Sequence, residues 1–219
     1  MEARNPKGEI LSAAVTEFAR YGLNGARVDR IAQRARANKR MIYYYFQSKQ
    51  GLYNHVLNQV YHGIVDAMKD RLVCYNGSNE VERLQVIWEA YFQYLSSNPH
   101  YVAMISWENL QQGRYSEDAD IPRVTHPMVQ QVSQLLEANN LLPEDLNSRH
   151  YILYLLAIAF FYFSNQYTVS MILGPDLFLE DEEKMFLENM KKMIIMPLKK
   201  LHSDDAARQG PKISLEIPK

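Results

Sequence analysis

Apolar residues recur with a helical period along most of this chain. Val28, Ile31, Ala32 and Ala35 stand at positions i, i+3, i+4 and i+7, which places one apolar stripe on a short helix. No segment alternates apolar and polar residues for long enough to predict a sheet. The pattern therefore predicts an all-α protein of about nine helices, over residues 6–22, 28–35, 39–45, 48–72, 80–95, 99–112, 127–139, 147–173 and 180–201.

Residues that cap or break helices set these boundaries. Asn5 precedes Pro6, a pair typical of a helix start, and Gly22 is expected to end that first helix. Pro127 is expected to open the seventh helix after an acidic loop over 113–123. Gly174 and Pro175 are expected to stop the eighth.

The second and third predicted helices are short and are separated by a tight turn. Asn38 is a good N-cap for the third helix, which begins with Lys39 and Arg40 and continues into Tyr43 and Tyr44. Two short helices joined in this way, with cations and hydrogen-bonding aromatic residues on the second, describe a helix-turn-helix. The third helix is therefore predicted to enter a DNA major groove.

Charge is distributed unevenly along the chain. The net formal charge is −1, but residues 1–53 hold ten Lys or Arg against four Asp or Glu, and the remainder holds fourteen against twenty-one. A basic N-terminal block beside an acidic body indicates a polyanionic partner for the N-terminal block. The 47% hydrophobic content excludes a disordered chain.

The first fifty-odd residues resemble the TetR family of one-component transcriptional regulators. The resemblance rests on an ordered set of positions: Ile10, Leu11, Ala13, Ala14, Phe18, Gly22, Ile31, Ala32, Ala35, Ile42, Tyr43, Tyr45, Phe46, Ser48, Lys49 and Leu52. It implies a homodimeric, ligand-responsive repressor that binds a palindromic operator and is released by a small effector. It also implies a helix-turn-helix domain over 1–50 and a ligand-binding and dimerisation domain over 51–202, followed by a flexible tail over 203–219.

The chain departs from the family pattern at the turn of the helix-turn-helix. The family has Gly-Val-Ser there, whereas this chain has Arg36-Ala37-Asn38. Because a left-handed backbone is unfavourable for Arg, we expect the turn to form with modest strain or in a slightly different geometry. Arg27 replaces a hydroxyl residue that contacts phosphate in the family, so its side chain is expected to take over that contact.

Seven residues are predicted to contact DNA. Lys39, Arg40 and Tyr44 are candidates for base edges or nearby phosphates, and Arg bound to guanine through two hydrogen bonds is the commonest specific contact. The resemblance assigns Tyr43 and Lys49 to the phosphate backbone. The full set is Arg27, Asn38, Lys39, Arg40, Tyr43, Tyr44 and Lys49. Ile42, Tyr45 and Phe46 are expected in the core.

An effector pocket is predicted from aromatic residues with a few polar neighbours, which suit a planar or aromatic small molecule. Its candidate residues are Glu89, Tyr94, Trp107, Glu108, Phe161, Tyr162, Asn165 and Gln166. The alternative is that these aromatic residues form ordinary core. The resemblance implies that the helices over 147–173 and 180–201 build the dimer interface.

Other chemistry finds little support in the sequence. No catalytic set, phosphate-binding loop or cofactor motif is present, and His55 and His62 lack a third metal ligand. Cys74, the single cysteine, is expected to be a buried or half-buried thiol. The apolar run over 151–163 is too short to span a membrane, and a cytoplasmic protein is expected. The competing function is a helical small-molecule carrier or scaffold that has lost specific DNA reading.

Overall fold

A computed structural model describes residues 5–115, 119–195 and 198, and all the regular secondary structure in them is helical. Ten α-helices and no strand occur there, which confirms the all-α class. The helices are α1 (Pro6–Gly25), α2 (Val28–Arg34), α3 (Lys39–Phe46), α4 (Lys49–Cys74), α5 (Glu80–Ser97), α6 (Pro99–Leu110), α7 (Ile121–Ala138), α8 (Ser148–Ser164), α9 (Gln166–Leu173) and α10 (Glu180–Met190). A 3₁₀ turn (Pro175–Phe178) and a π turn (Lys191–Ile195) complete the described elements.

The chain divides into two compact units. The first contains Met1–Gly63 and Asn98–Val124, and the second contains Ile64–Ser97 and Thr125–Lys219. The predicted DNA-binding segment 1–50 therefore lies wholly in the first unit, together with the beginning of α4 and the whole of α6.

The first unit is built on α1, which packs against α2, α3 and α6. The Asn5 side chain accepts a hydrogen bond from the Gly8 N–H at 3.1 Å and so caps α1, as the sequence predicts. Phe18 of α1 is fully buried, and its ring meets the Tyr53 ring edge-on at 5.0 Å. Ile31 of α2 and Ile42 of α3 are also fully buried, so one core holds α1, α2 and α3 together.

The core of the second unit is aromatic. Phe92 of α5 is buried beside Phe163 of α8 and Phe186 of α10, with ring centroids 4.8 Å and 5.9 Å away. The buried Trp88 indole N–H donates to the Leu155 carbonyl at 3.0 Å. This bond satisfies the polar atom that a buried tryptophan carries, and it joins α5 to α8.

The predicted continuous helix over 147–173 was wrong, because the chain breaks at Asn165. Asn165 has φ −115° and ψ 16°, and its side-chain amide donates to Phe161 O at 3.3 Å and to Ser164 Oγ at 2.8 Å. An asparagine that bonds locally in this way competes with the helical ladder. No single described helix has the length and hydropathy of a membrane span; α8 and α9 reach that level only together, across a bend of 81°.

One predicted boundary is matched and another differs. Gly22 interrupts α1 as expected, with φ +62° and ψ 179°, and a short helical segment continues after it to Gly25. Helix α7 begins at Ile121 rather than at Pro127, which lies inside it. The Asp120 carbonyl accepts from Val124 N–H and starts this helix before the proline, which then removes one N–H donor from the helix.

Differences also occur at the end of α4 and in the last predicted helix. Cys74 is exposed, which contradicts the expectation of a buried thiol. The helix predicted over 180–201 runs as an α-helix only to Met190 and then widens into the π turn. The predicted tail over 203–219 lies outside the described residues.

Candidate nucleic-acid interface and effector site

Helix α3 has one buried face and one exposed face. Ile42 and Phe46 are buried, whereas the Tyr44 side chain is 82% exposed and Tyr43 is 43% exposed. Lys39 and Arg40 are exposed at the beginning of the same helix. The Asn38 side chain accepts the Arg40 N–H at 2.9 Å, so it caps α3 as predicted. The exposed face therefore combines two cations with two phenol groups.

The turn before α3 forms although it lacks glycine. Arg36 has φ +48°, in the left-handed region. Ala37 N–H donates to Ala32 O at 3.0 Å and Arg36 N–H donates to Gln33 O at 3.2 Å, which is the hydrogen-bond pair of a Schellman motif. The expected strain is therefore present at Arg36, at a cost of roughly 1 kcal/mol relative to glycine.

A buried carboxylate fixes the beginning of α2. Glu17 accepts the Arg27 backbone N–H at 2.9 Å and forms an ion pair of 2.6 Å with Arg30. The Arg30 guanidinium also lies 4.2 Å from the Tyr21 ring centroid. Sequence reasoning missed Glu17, although its place on the apolar face of α1, beside Ala13 and Ala14, was a usable signal.

Two predicted DNA-contacting lysines have partners within the first unit. Lys39 Nζ lies 2.8 Å from Asp29 Oδ1, and this hydrogen bond and the Asp29 charge raise the pKa of Lys39. Lys49 is half-buried and donates to the Asn24 carbonyl at 3.3 Å, and its burial lowers its pKa. The Arg27 side chain is exposed.

The eight predicted effector-site residues fall into both units. Trp107 and Glu108 belong to the first unit, and the other six belong to the second. The Trp107 indole donates to Ala19 O at 3.1 Å, and its ring fills the space that a Cβ at Gly22 would occupy. The half-buried Trp107 therefore packs against α1, a contact that the alternative interpretation also expects.

Five of the other predicted residues lie on α5, α8 and α9 or at the break between α8 and α9. Glu89 pairs with Lys191 at 3.1 Å, and burial raises the pKa of the half-buried Tyr94. Tyr162 is buried, and its hydroxyl donates to Leu177 O at 3.0 Å; burial raises its pKa to about 12. Asn165 forms the helix break, and the half-buried Gln166 begins α9.

An apolar groove of about 450 Å³ lies in the second unit. Phe161 and Tyr162 are the two predicted pocket residues that line it. The complete lining is Ala157, Ile158, Phe161, Tyr162, Val169, Leu173, Leu177, Phe178, Phe186 and Met190. Because this lining contains no charged side chain, the groove suits an apolar occupant. Among the described residues, no group of three His, Cys, Asp or Glu side chains is arranged to hold a metal.

Two family descriptions match this chain, one at each end of it. The family description "Bacterial regulatory proteins, tetR family" matches residues 10–56, and "Tetracyclin repressor-like, C-terminal domain" matches residues 81–194. The chain belongs to the TetR family. It is accordingly a DNA-binding transcriptional regulator, and a response to a ligand is typical of this family.

Named repressors are among the relatives of this TetR-family chain. The HTH-type transcriptional repressor NicS of Pseudomonas putida is 31% identical over 182 residues, which cover 80% of this chain and 84% of NicS. An HTH-type transcriptional repressor of Streptomyces coelicolor is 39% identical over 114 residues, covering 46% of this chain and 59% of that relative.

Solved structures share the TetR-family fold. The fatty acid degradation regulator FadR from Bacillus halodurans has a TM-score of 0.64 and 18% identity, covering 90% of this chain and 96% of FadR. The TetR family regulator PfmR from Thermus thermophilus has a TM-score of 0.63 and 17% identity, covering 85% of this chain and 97% of PfmR. At these identities the likeness concerns the fold alone.

Proposed function

We propose that this protein is a homodimeric repressor that reads a palindromic operator with the exposed face of α3. The observation that carries the proposal is the division of α3 between buried Ile42 and Phe46 and the outward Lys39, Arg40 and Tyr44. A helix anchored on one side and lined with donors on the other matches the docking geometry of a recognition helix.

Each predicted contact has a separate role in this proposal. Arg40 reads a guanine edge through its two-pronged guanidinium, and Tyr44 reaches the neighbouring base or phosphate. Tyr43, Lys49 and the Arg27 side chain position the helix on the phosphate backbone. Asn38 contributes through its cap, because it orients the first turn of α3.

We infer that two copies associate through an apolar face on α8, α9 and α10. Of the fourteen large hydrophobic side chains that are exposed in the described residues, ten lie between 153 and 193. They include Phe161 of α8, Tyr167 and Met171 of α9, and Met185 of α10. A surface this apolar marks a protein–protein contact, and the groove beside Phe161 would be covered by the partner.

We infer that a small planar or aromatic molecule relieves repression. The effector would favour a conformation with lower operator affinity, and full release needs a preference of several kcal/mol between the two states. Support comes from the family, in which a ligand response is typical. Because such a regulator acts where the DNA lies, we place the protein in the cytoplasm.

Fluorescence anisotropy on labelled DNA from the protein's own upstream region tests this function. The titration is repeated against scrambled competitor DNA over a series of salt concentrations. We expect preference for the upstream DNA and an affinity that falls as salt rises, because bound phosphates release counterions. Equal, weak binding to both DNAs would contradict the proposal and favour the carrier alternative.

A further inference from the structure

One carboxylate of the first unit is buried without a complete set of partners. Glu108 of α6 is only 6% exposed. Its Oε1 accepts the Tyr53 hydroxyl of α4 at 2.5 Å, whereas its buried Oε2 has no hydrogen-bond partner among the described residues. No Lys or Arg of these residues forms an ion pair with Glu108.

Tyrosine side chains lie near this carboxylate. Tyr53 is buried, and the half-buried Tyr61 lies close enough that the Glu108 charge adds to burial in raising the pKa of Tyr61 to about 12. The Tyr61 ring meets the buried Tyr101 ring edge-on at 6.0 Å. The cluster of Tyr53, Tyr61, Tyr101 and Glu108 therefore combines one buried carboxylate with three tyrosine side chains of α4 and α6.

A buried oxygen without a hydrogen-bond partner lowers the stability of the folded protein. A buried polar atom loses its bonds to water, and a buried charge loses more when no opposite charge compensates it. A neutral N–H donor would satisfy Oε2 but leave the charge uncompensated. A positively charged nitrogen would satisfy both, and tyrosine faces attract such cations.

We propose that the Glu108–tyrosine cluster is a binding site for a small organic cation with an N–H donor, such as a protonated amine or amidine. The positively charged nitrogen donates to Glu108 Oε2 and lies against the tyrosine rings. This inference rests on the proposed effector response, because it assigns that effector a positive charge and places its charged end beside α6.

Isothermal titration of the full chain with matched probes tests the site. Benzamidinium and the smaller acetamidinium are each compared with the uncharged amide of the same shape, benzamide or acetamide. Wild type is compared with Glu108→Gln, which keeps an acceptor for the Tyr53 hydroxyl. Glu80→Gln is the control, because Glu80 is a buried carboxylate of the second unit that already pairs with Arg83 at 3.0 Å.

We expect at least one amidinium to bind wild type more tightly than its amide, by about tenfold or more. Glu108→Gln should lose that preference, whereas Glu80→Gln should keep it. If neither amidinium binds wild type, or if amidinium and amide bind equally, the proposal is overturned. Equal amidinium binding to wild type and Glu108→Gln overturns it as well.

A second variant keeps the test decisive if Glu108→Gln does not fold. Tyr53→Phe removes the donor to Oε1 and leaves more of the Glu108 charge for the probe, so amidinium binding should be unchanged or tighter. A loss of binding in this variant would overturn the proposal. Operator binding is measured without probe on the same proteins: if it persists while no amidinium binds, only this inference fails, and if wild type lacks it, the proposed function fails.

Discussion

Helices α3 and α9 both expose aromatic side chains, but their surroundings differ. Tyr44 is 82% exposed on α3 beside Lys39 and Arg40, whereas Tyr167 is 88% exposed on α9 beside Met171 and Ile172. Helices α8 and α9 contain one Lys, Arg, Asp or Glu residue between them, which is Arg149 at the beginning of α8. Exposed aromatic residues alone therefore do not identify a partner.

The neighbouring residues distinguish the two surfaces. Cations beside phenol groups can replace the counterions of a phosphate backbone and donate to base edges. A surface of Met, Ile and Tyr without charge is stabilised mainly when a partner removes it from water. This favours an apolar partner such as a second copy of the same face. The predictions below test this difference in order of expected effect.

Met171→Lys should have the largest effect, because it places a charge in the proposed dimer interface. Met171 is 80% exposed in the single chain, so the fold should tolerate lysine. We expect the dimer to weaken by about 3 kcal/mol, more than a hundredfold, when measured by sedimentation equilibrium.

Val73→Lys is the matched control for that change. Val73 is also apolar and exposed, but it belongs to α4 and is not one of the residues of the proposed apolar face of α8–α10. Equal weakening of the dimer by both substitutions would contradict the proposed interface.

Arg40→Ala should reduce specific DNA binding. Losing a two-pronged contact to guanine costs about 1–3 kcal/mol, so anisotropy should show roughly tenfold to hundredfold weaker binding to the operator. Arg149→Ala removes the same charge from an exposed position on α8 and should change operator affinity little. The assignment of α3 fails if the two variants lose affinity equally.

Arg36→Gly tests whether the turn before α3 is strained, and it changes no residue of α3 itself. Glycine adopts the positive φ of this turn without strain, so urea unfolding should show a gain in stability of about 1 kcal/mol. Arg34→Gly, two residues earlier at the last residue of α2, should instead lose stability, by up to about 1 kcal/mol. A loss of stability in Arg36→Gly would show that the side chain contributes more than the strain costs.

Asp29→Asn should have the smallest effect, and it addresses the Lys39 partner. Because Asp29 neutralises Lys39 at 2.8 Å, its removal should strengthen binding to scrambled DNA and steepen the salt dependence by at most about one unit of slope. Preference for the operator over scrambled DNA should fall. An unchanged salt slope would contradict this prediction. It would mean that Lys39 leaves Asp29 and binds phosphate equally well in the wild type.

The sequence predicted most of the first unit because its signals are local. The cap at Asn38, the apolar stripe from Val28 to Ala35 and the strained turn at Arg36 all depend on residues within a few positions of each other. The assignment of the seven DNA-contacting residues remains a prediction that the variants above test.

The parts that the sequence did not predict depend on distant partners. Tyr53 and Glu108 are fifty-five residues apart, and no local pattern indicates that the hydroxyl and carboxylate meet. The break at Asn165 depends on the side chain competing with the helix, although the polar Ser164 and Gln166 beside it were a visible signal. The sequence predicts Trp107 in the effector pocket because no local pattern indicates its contact with Gly22, which lies on a different helix.

Selection of bound sequences from a random DNA library tests the central claim most directly. The same experiment shows whether two copies bind together and whether α3 contacts the bases. Two copies reading DNA with α3 should enrich a palindrome whose half-sites lie about 10 base pairs apart or a multiple of that. Arg40→Ala should relax the sequence preference at one symmetric pair of positions. Enrichment of a single, non-repeated site, or of no sequence at all, would contradict the claim that a dimer reads its operator through α3.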